Sequence, residues 1–90
     1  MKRDLDKYHL MKVFNAVALE GSFTNAATRL NMTVSSVSKA VNQLEAVLGS
    51  RLLNRTTRKQ SLTDAGRIYI EHSRQILADV DSLEELISVN

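Results

Sequence analysis

The chain has no cysteine and no proline, and its 90 residues include only three glycines, Gly21, Gly49 and Gly66. Without cysteine there is neither a disulfide framework nor a thiolate metal site, which fits a reducing cytosol. Without proline, long helices are permitted nearly everywhere, and the three glycines become the main punctuation. No apolar run approaches the roughly 18 residues of a membrane span, and the N-terminal MKRDLDKYHL lacks the apolar core of a signal peptide. A soluble, cytoplasmic protein with no membrane partner is expected. His9 and His72 lie far apart with no clustered carboxylate beside them, so neither a metal site nor a cofactor is expected. There is no glycine-rich phosphate loop, no nucleophile elbow, and no histidine near a serine and an acid in a recognisable order. The chain reads as a binding module rather than an enzyme.

What is present suits one small domain. A hydrophobic content of 43% supports a compact core but no large enclosed pocket. The formal net charge of +2 is uninformative, but its distribution is not: residues 1–63 carry net +6 and residues 64–90 net −4. The basic surplus is densest where Arg51, Arg55, Arg58 and Lys59 fall close together, a footprint suited to a phosphate backbone.

Leu10, Met11, Phe14, Val17 and Ala18 recur at helical spacing within a first helix over Leu5–Glu20, ended by Gly21. Ser22 is a natural N-cap for a short second helix, Phe23–Leu30, whose paired Ala26 and Ala27 let another helix approach closely. Thr33 caps a third helix that runs to Leu48 and stops at Gly49. On a wheel of roughly 100° per residue, Val37, Val41, Leu44 and Leu48 form its core stripe, and Ser35, Ser36, Lys39, Asn42 and Gln43 face the other way. Its only acid, Glu45, stands near the buried edge. Nothing outward-facing on this helix repels a polyanion. Helix, tight turn, helix is the arrangement that presents a second helix to the major groove.

After Gly49, RLLNR, then TTRKQ, then SLT suit a small hairpin with Arg58 and Lys59 at its tip, within reach of phosphates or the minor groove. A long helix follows from Thr63 or Asp64. Ala65, Tyr69, His72, Ile76, Val80, Leu83 and Ile87 lie on one stripe, widened by Ile68 and Leu86. At about 1.5 Å per residue it is longer than a cap on so small a body requires. Such a stripe is most simply covered by its copy in a second subunit. The alternatives are a helix packed entirely on its own domain, and a helical interaction module in which this stripe is the function and the basic body incidental.

The run Gly-Ser-Phe-Thr-x-Ala-Ala-x-x-Leu at Gly21 to Leu30 is followed by Val-Ser-Lys at Val37 to Lys39, Leu44-Glu45 and Leu48-Gly49. Arg-Thr-x-Arg then continues to Leu-Thr-x-Ala-Gly between Arg55 and Gly66. In this order the elements resemble the N-terminal DNA-binding domain of LysR-type transcriptional regulators, from about Leu5 to the end of the long helix. The resemblance implies a mainly α fold. It comprises a winged helix-turn-helix over residues 5–62, with three helices and a two-stranded β wing, and then a long linker helix over residues 63–88 that pairs two subunits. It implies sequence-specific binding of double-stranded DNA at inverted repeats, by homodimers or, in a full-length protein, pairs of dimers.

Carried over onto matching positions, Ser35, Ser36, Ser38 and Lys39 fall where the family's recognition helix contacts bases or phosphates, and Arg58 matches the wing arginine of the minor groove. Ser22, Thr24, Arg29, Thr33, Arg55, Thr57 and Lys59 complete the expected DNA-facing set, with Val34 and Asn42. Asn42 stands where many members have a longer basic residue. Val34 and Ser35 replace a common Gln-Pro pair, and a valine touches a thymine methyl but cannot hydrogen-bond a base edge. Lys39 replaces a frequent arginine with a point charge. Tyr69, His72, Ile76, Val80, Leu83 and Ile87 are the expected dimer interface. The larger metabolite-sensing domain of the family is absent from these residues, so the resemblance implies no small-molecule effector site within them; they are expected to be a DNA-binding fragment, with a natural stand-alone protein as the alternative.

Overall fold

A computed structural model describes residues 6–55 and 61–88. In chain order it contains α1 (Lys7–Glu20), α2 (Phe23–Leu30), α3 (Val34–Leu48), β1 (Leu53–Asn54), β2 (Ser61–Leu62) and α4 (Asp64–Ser88). The mainly α winged helix-turn-helix with a long last helix is therefore the fold adopted. Each of the first three helices begins on an extended residue whose side chain accepts the amide three positions on. Asp6 takes His9 N at 3.1 Å, Ser22 takes Asn25 N at 3.0 Å and Thr33 takes Ser36 N at 3.0 Å. The same helices end on left-handed residues, Gly21 (φ 70°), Asn31 (φ 59°) and Gly49 (φ 68°), so two short turns fold α1, α2 and α3 back on each other. Because Asp6 is the cap, α1 starts at Lys7 and not at Leu5, which lies outside the described residues.

Phe14 and Val17 from α1, Ala26 from α2, and Val37 and Val41 from α3 are wholly buried where the three helices meet. Each large side chain sealed there contributes about 1.5–3 kcal/mol. Leu48, expected in the α3 core stripe, is 44% exposed. It is the last residue before the Gly49 turn, and the core at this end is closed instead by Leu52, which the turn swings underneath. Among the described residues the hairpin pairs two residues per strand antiparallel, Leu53 opposite Leu62 and Asn54 opposite Ser61.

Glu45 fastens this hairpin to α3. Only 7% exposed, it accepts from the backbone amides of Leu52 (2.7 Å) and Leu53 (3.2 Å) through Oε2. Its Oε1 meets Arg55 at 3.0 Å and, more loosely, Arg51 at 3.5 Å. The carboxylate thus satisfies amides that the chain cannot pair internally as it leaves the helix, and charge-assisted bonds of this kind exceed ordinary ones.

At the start of α4, Thr63 Oγ1 accepts from Gly66 N at 2.9 Å and donates to the Arg51 carbonyl at 2.6 Å. Gly66 is buried, and a Cβ there would land on the Leu52 carbonyl oxygen. One turn on, Tyr69 meets Phe14 edge to face at 5.6 Å, and burial raises its hydroxyl pKa. Further along, Asn15 Nδ2 bridges the Met11 carbonyl and the buried Ser73 hydroxyl, both at 2.9 Å, tying α4 to α1.

Two substitutions test these joints. Gly66→Ala, which in an open helix would stabilise by about 1 kcal/mol, is expected to lower stability by about 1–3 kcal/mol through the Leu52 clash; a urea midpoint that rises would contradict this. Glu45→Ala, leaving two amides and a guanidinium without their acceptor, is expected to cost about 3 kcal/mol in the same assay.

Candidate nucleic-acid interface

Burying Val37, Ala40, Val41 and Leu44 turns the opposite side of α3 to solvent. Thr33, Val34, Ser35, Ser36, Lys39 and Asn42 are exposed on it, and Ser38, at its edge, is half-buried. Thr33 Oγ1 donates to Ser36 Oγ at 2.9 Å, so the hydroxyls at the helix start hold one another while Ser35 is left open. The only acid of α3, Glu45, is buried beneath the opposite edge and paired with arginines. The resulting face is polar, carries one cation and has no carboxylate. Its dimensions and chemistry suit a groove lined by phosphates.

The flanks are more constrained than their sequence suggests. Ser22 is half-buried as the α2 cap, and Thr24, the second residue of α2, lies exposed, with its carbonyl accepting from Thr28. Arg29 is exposed, but its guanidinium meets Glu20 at 3.1 Å. Arg55 is largely occupied: it bonds Glu45, donates to Asn42 Oδ1 at 2.9 Å, and lies over the Phe23 ring at 5.7 Å. It is thus a bracket between wing and helix, not an open phosphate ligand. The sequence reading missed this bracket, although an acid near the buried edge of α3 and an arginine ten residues later were its visible signal. Thr57, Arg58 and Lys59, expected at the wing tip, lie outside the described residues.

On α4 the single stripe read from the sequence divides in two. Tyr69, expected at the subunit interface, packs edge to face on Phe14 of its own domain, and Ile70 lies with it against the core. Ser73, which the stripe omitted, is the buried residue of the next turn. The free half runs through Ile68, His72, Ile76, Leu83, Leu86 and Ile87, all exposed, with Val80 half-buried between the two rows. Leu83 and Ile87 are 58% and 72% exposed, an apolar edge that α1 does not reach. No helix among the described residues is long and apolar enough to cross a membrane, and no cluster of potential metal ligands occurs among them.

Comparison with known proteins places this geometry. Residues 8–67 match the family described as "Bacterial regulatory helix-turn-helix protein, lysR family". The chain is 46% identical over 81 residues to the HTH-type transcriptional activator AaeR of Escherichia coli K12, covering 90% of this chain and 26% of that protein. It therefore spans about a quarter of the length of this curated relative. Among solved structures, the complex of the BenM DBD with catB site 1 DNA superposes with a TM-score of 0.86 at 30% identity, covering 89% of each chain. The CbnR DBD–DNA complex superposes with a TM-score of 0.77 at 33% identity, over 92% of this chain and 98% of that one. With the helix-turn-helix, the wing and the long final helix all in place, the chain belongs to the LysR family of bacterial regulatory helix-turn-helix proteins.

Proposed function

We propose that this chain is the DNA-binding part of a cytoplasmic LysR-type transcription regulator, acting by binding and not by catalysis. The outward face of α3 enters the major groove of double-stranded DNA, with Val34, Ser35 and Ser36 nearest the base edges and Lys39 against a phosphate or base. The wing lies over the adjacent backbone and minor groove, and Arg58, outside the described residues, is read as its minor-groove contact. Ser22 and Thr24, at the start of α2, steady the backbone on the other side. The observation that carries this reading is the α3 face itself, polar, exposed and free of acids, with the helix's one carboxylate buried behind it. The DNA complexes of the BenM and CbnR domains, superposable over most of this chain, support it.

The free half of the α4 stripe is read as the homodimer seam. Ile76, Leu83 and Ile87 would meet their copies, placing two α3 helices on half-sites about one helical turn apart or a multiple of it. A protein-only adaptor using the same stripe is the second reading, and salt dependence separates them. Binding to duplex DNA, followed by fluorescence anisotropy, is expected to weaken steeply between about 50 and 200 mM salt as counterions are released. Lys39→Ala is expected to weaken binding and reduce the salt slope by about one. An adaptor would show neither effect. Ile76→Asp, which puts charge into the seam, is expected to shift the chain to a monomer in sedimentation and to weaken binding to two-half-site duplexes more than to single half-sites; an unchanged mass would contradict the seam.

A further inference from the structure

We infer that Asn42 reads a base edge as a hydrogen-bond donor only, because Arg55 holds its carbonyl. This deepens the DNA-binding reading and rests on it. A guanidinium has donors and no acceptor. The 2.9 Å contact from Arg55 to Asn42 therefore fixes the oxygen of the carboxamide toward the wing and leaves the NH2 at the exposed end. Arg55 is itself held, by Glu45 at 3.0 Å on one side and the Phe23 ring at 5.7 Å on the other, and its side chain is 27% exposed. The carboxamide is thus oriented from beneath before any ligand arrives. A free asparagine can pair with adenine through both ends, its oxygen to N6 and its nitrogen to N7. Asn42 has only its nitrogen to offer. The edges that accept it are guanine O6 and N7, thymine O4 and adenine N7, the last through one bond where a free carboxamide makes two, whereas cytosine presents a donor there. Arg55 is accordingly a positioning residue for base preference, acting through Asn42.

The isosteric Asn42→Asp retains an oxygen for Arg55 and replaces the free donor with an acceptor. It changes the chemistry of the exposed end while leaving the bracket in place. Selection from a random duplex library, with wild type, Asn42→Asp and Arg55→Lys run in parallel and their melting compared by circular dichroism, reads the effect as base preference. It does not depend on overall affinity, which the added charge lowers for every sequence. Wild type is expected to disfavour cytosine at one position of each half-site and to show no preference for adenine over guanine or thymine there. Asn42→Asp is expected to turn that position toward cytosine by roughly three- to tenfold, the range of one neutral hydrogen bond, with other positions unchanged. Arg55→Lys, which can serve Glu45 with a point charge but has no fork to hold Asn42 as well, is expected to favour adenine there through the bidentate pair.

Retention of the wild-type preference by Asn42→Asp, or a wild-type preference for adenine over guanine and thymine at the position Asn42→Asp alters, overturns the inference. So does an Arg55→Lys preference identical to wild type, because the carboxamide would then not be set by the bracket. In each of these cases DNA binding itself stands. Failure of wild type to bind any duplex overturns the DNA-binding reading and this inference with it.

Discussion

Glu45 is the buried carboxylate around which α3 and the start of the wing are arranged. Its two oxygens receive the Leu52 and Leu53 amides, the Arg55 guanidinium and, at longer range, Arg51. A buried acid alone would cost several kcal/mol; here its partners are the backbone and side chains of the segment that must turn from helix into wing. The wing is fixed to α3 by that exchange, since a two-residue strand pair could not hold its position by itself. Removing the only acid of α3 from its outward face also leaves that face without repulsion toward phosphate. A single side chain thus couples the integrity of the fold to the electrostatics of the surface.

The small size of the body explains the double duty of α4. Its first turns complete the core, with Gly66 against the Leu52 carbonyl, Tyr69 on Phe14 and Ser73 bonded to Asn15. Beyond that the three-helix body ends and the helix continues, exposed throughout Asp81–Ser88. Ile76, Leu83 and Ile87 are apolar and exposed, where water is a poor neighbour. The two rows lie side by side on one helix, so how the body packs on the first row sets the direction in which the second faces.

Much of this was legible in the chain because it is local. Ser22 and Thr33 as caps, and Gly21 and Gly49 as helix ends, depend on neighbours within a turn, and they define three helices almost to the residue. The acid-free face of α3 follows from helical periodicity in the same way. What the pattern could not supply was contact across long separations. Tyr69 and His72 share a stripe by angle, yet one faces Phe14 and the other solvent. Ser73 looks like a polar interruption until Asn15, fifty-eight residues earlier, gives it a partner. Arg55 reads as one more cation of a basic cluster, and only the fold reveals that Glu45 and Asn42 engage it. Leu48 falls on the core stripe by angle but lies past the end of the core it was meant to fill.

The central claim is that α3 and the wing form one DNA-facing surface and the free row of α4 another, with different partners. The most direct measurement is a ¹H–¹⁵N titration of the chain with short duplex DNA, followed residue by residue. The account predicts that amides of Ser35, Ser36, Lys39 and Asn42, together with the start of α2, shift and broaden first, while those of Leu83 to Ile87 stay in place. Shifts centred on the free row of α4, with α3 unmoved, would contradict it.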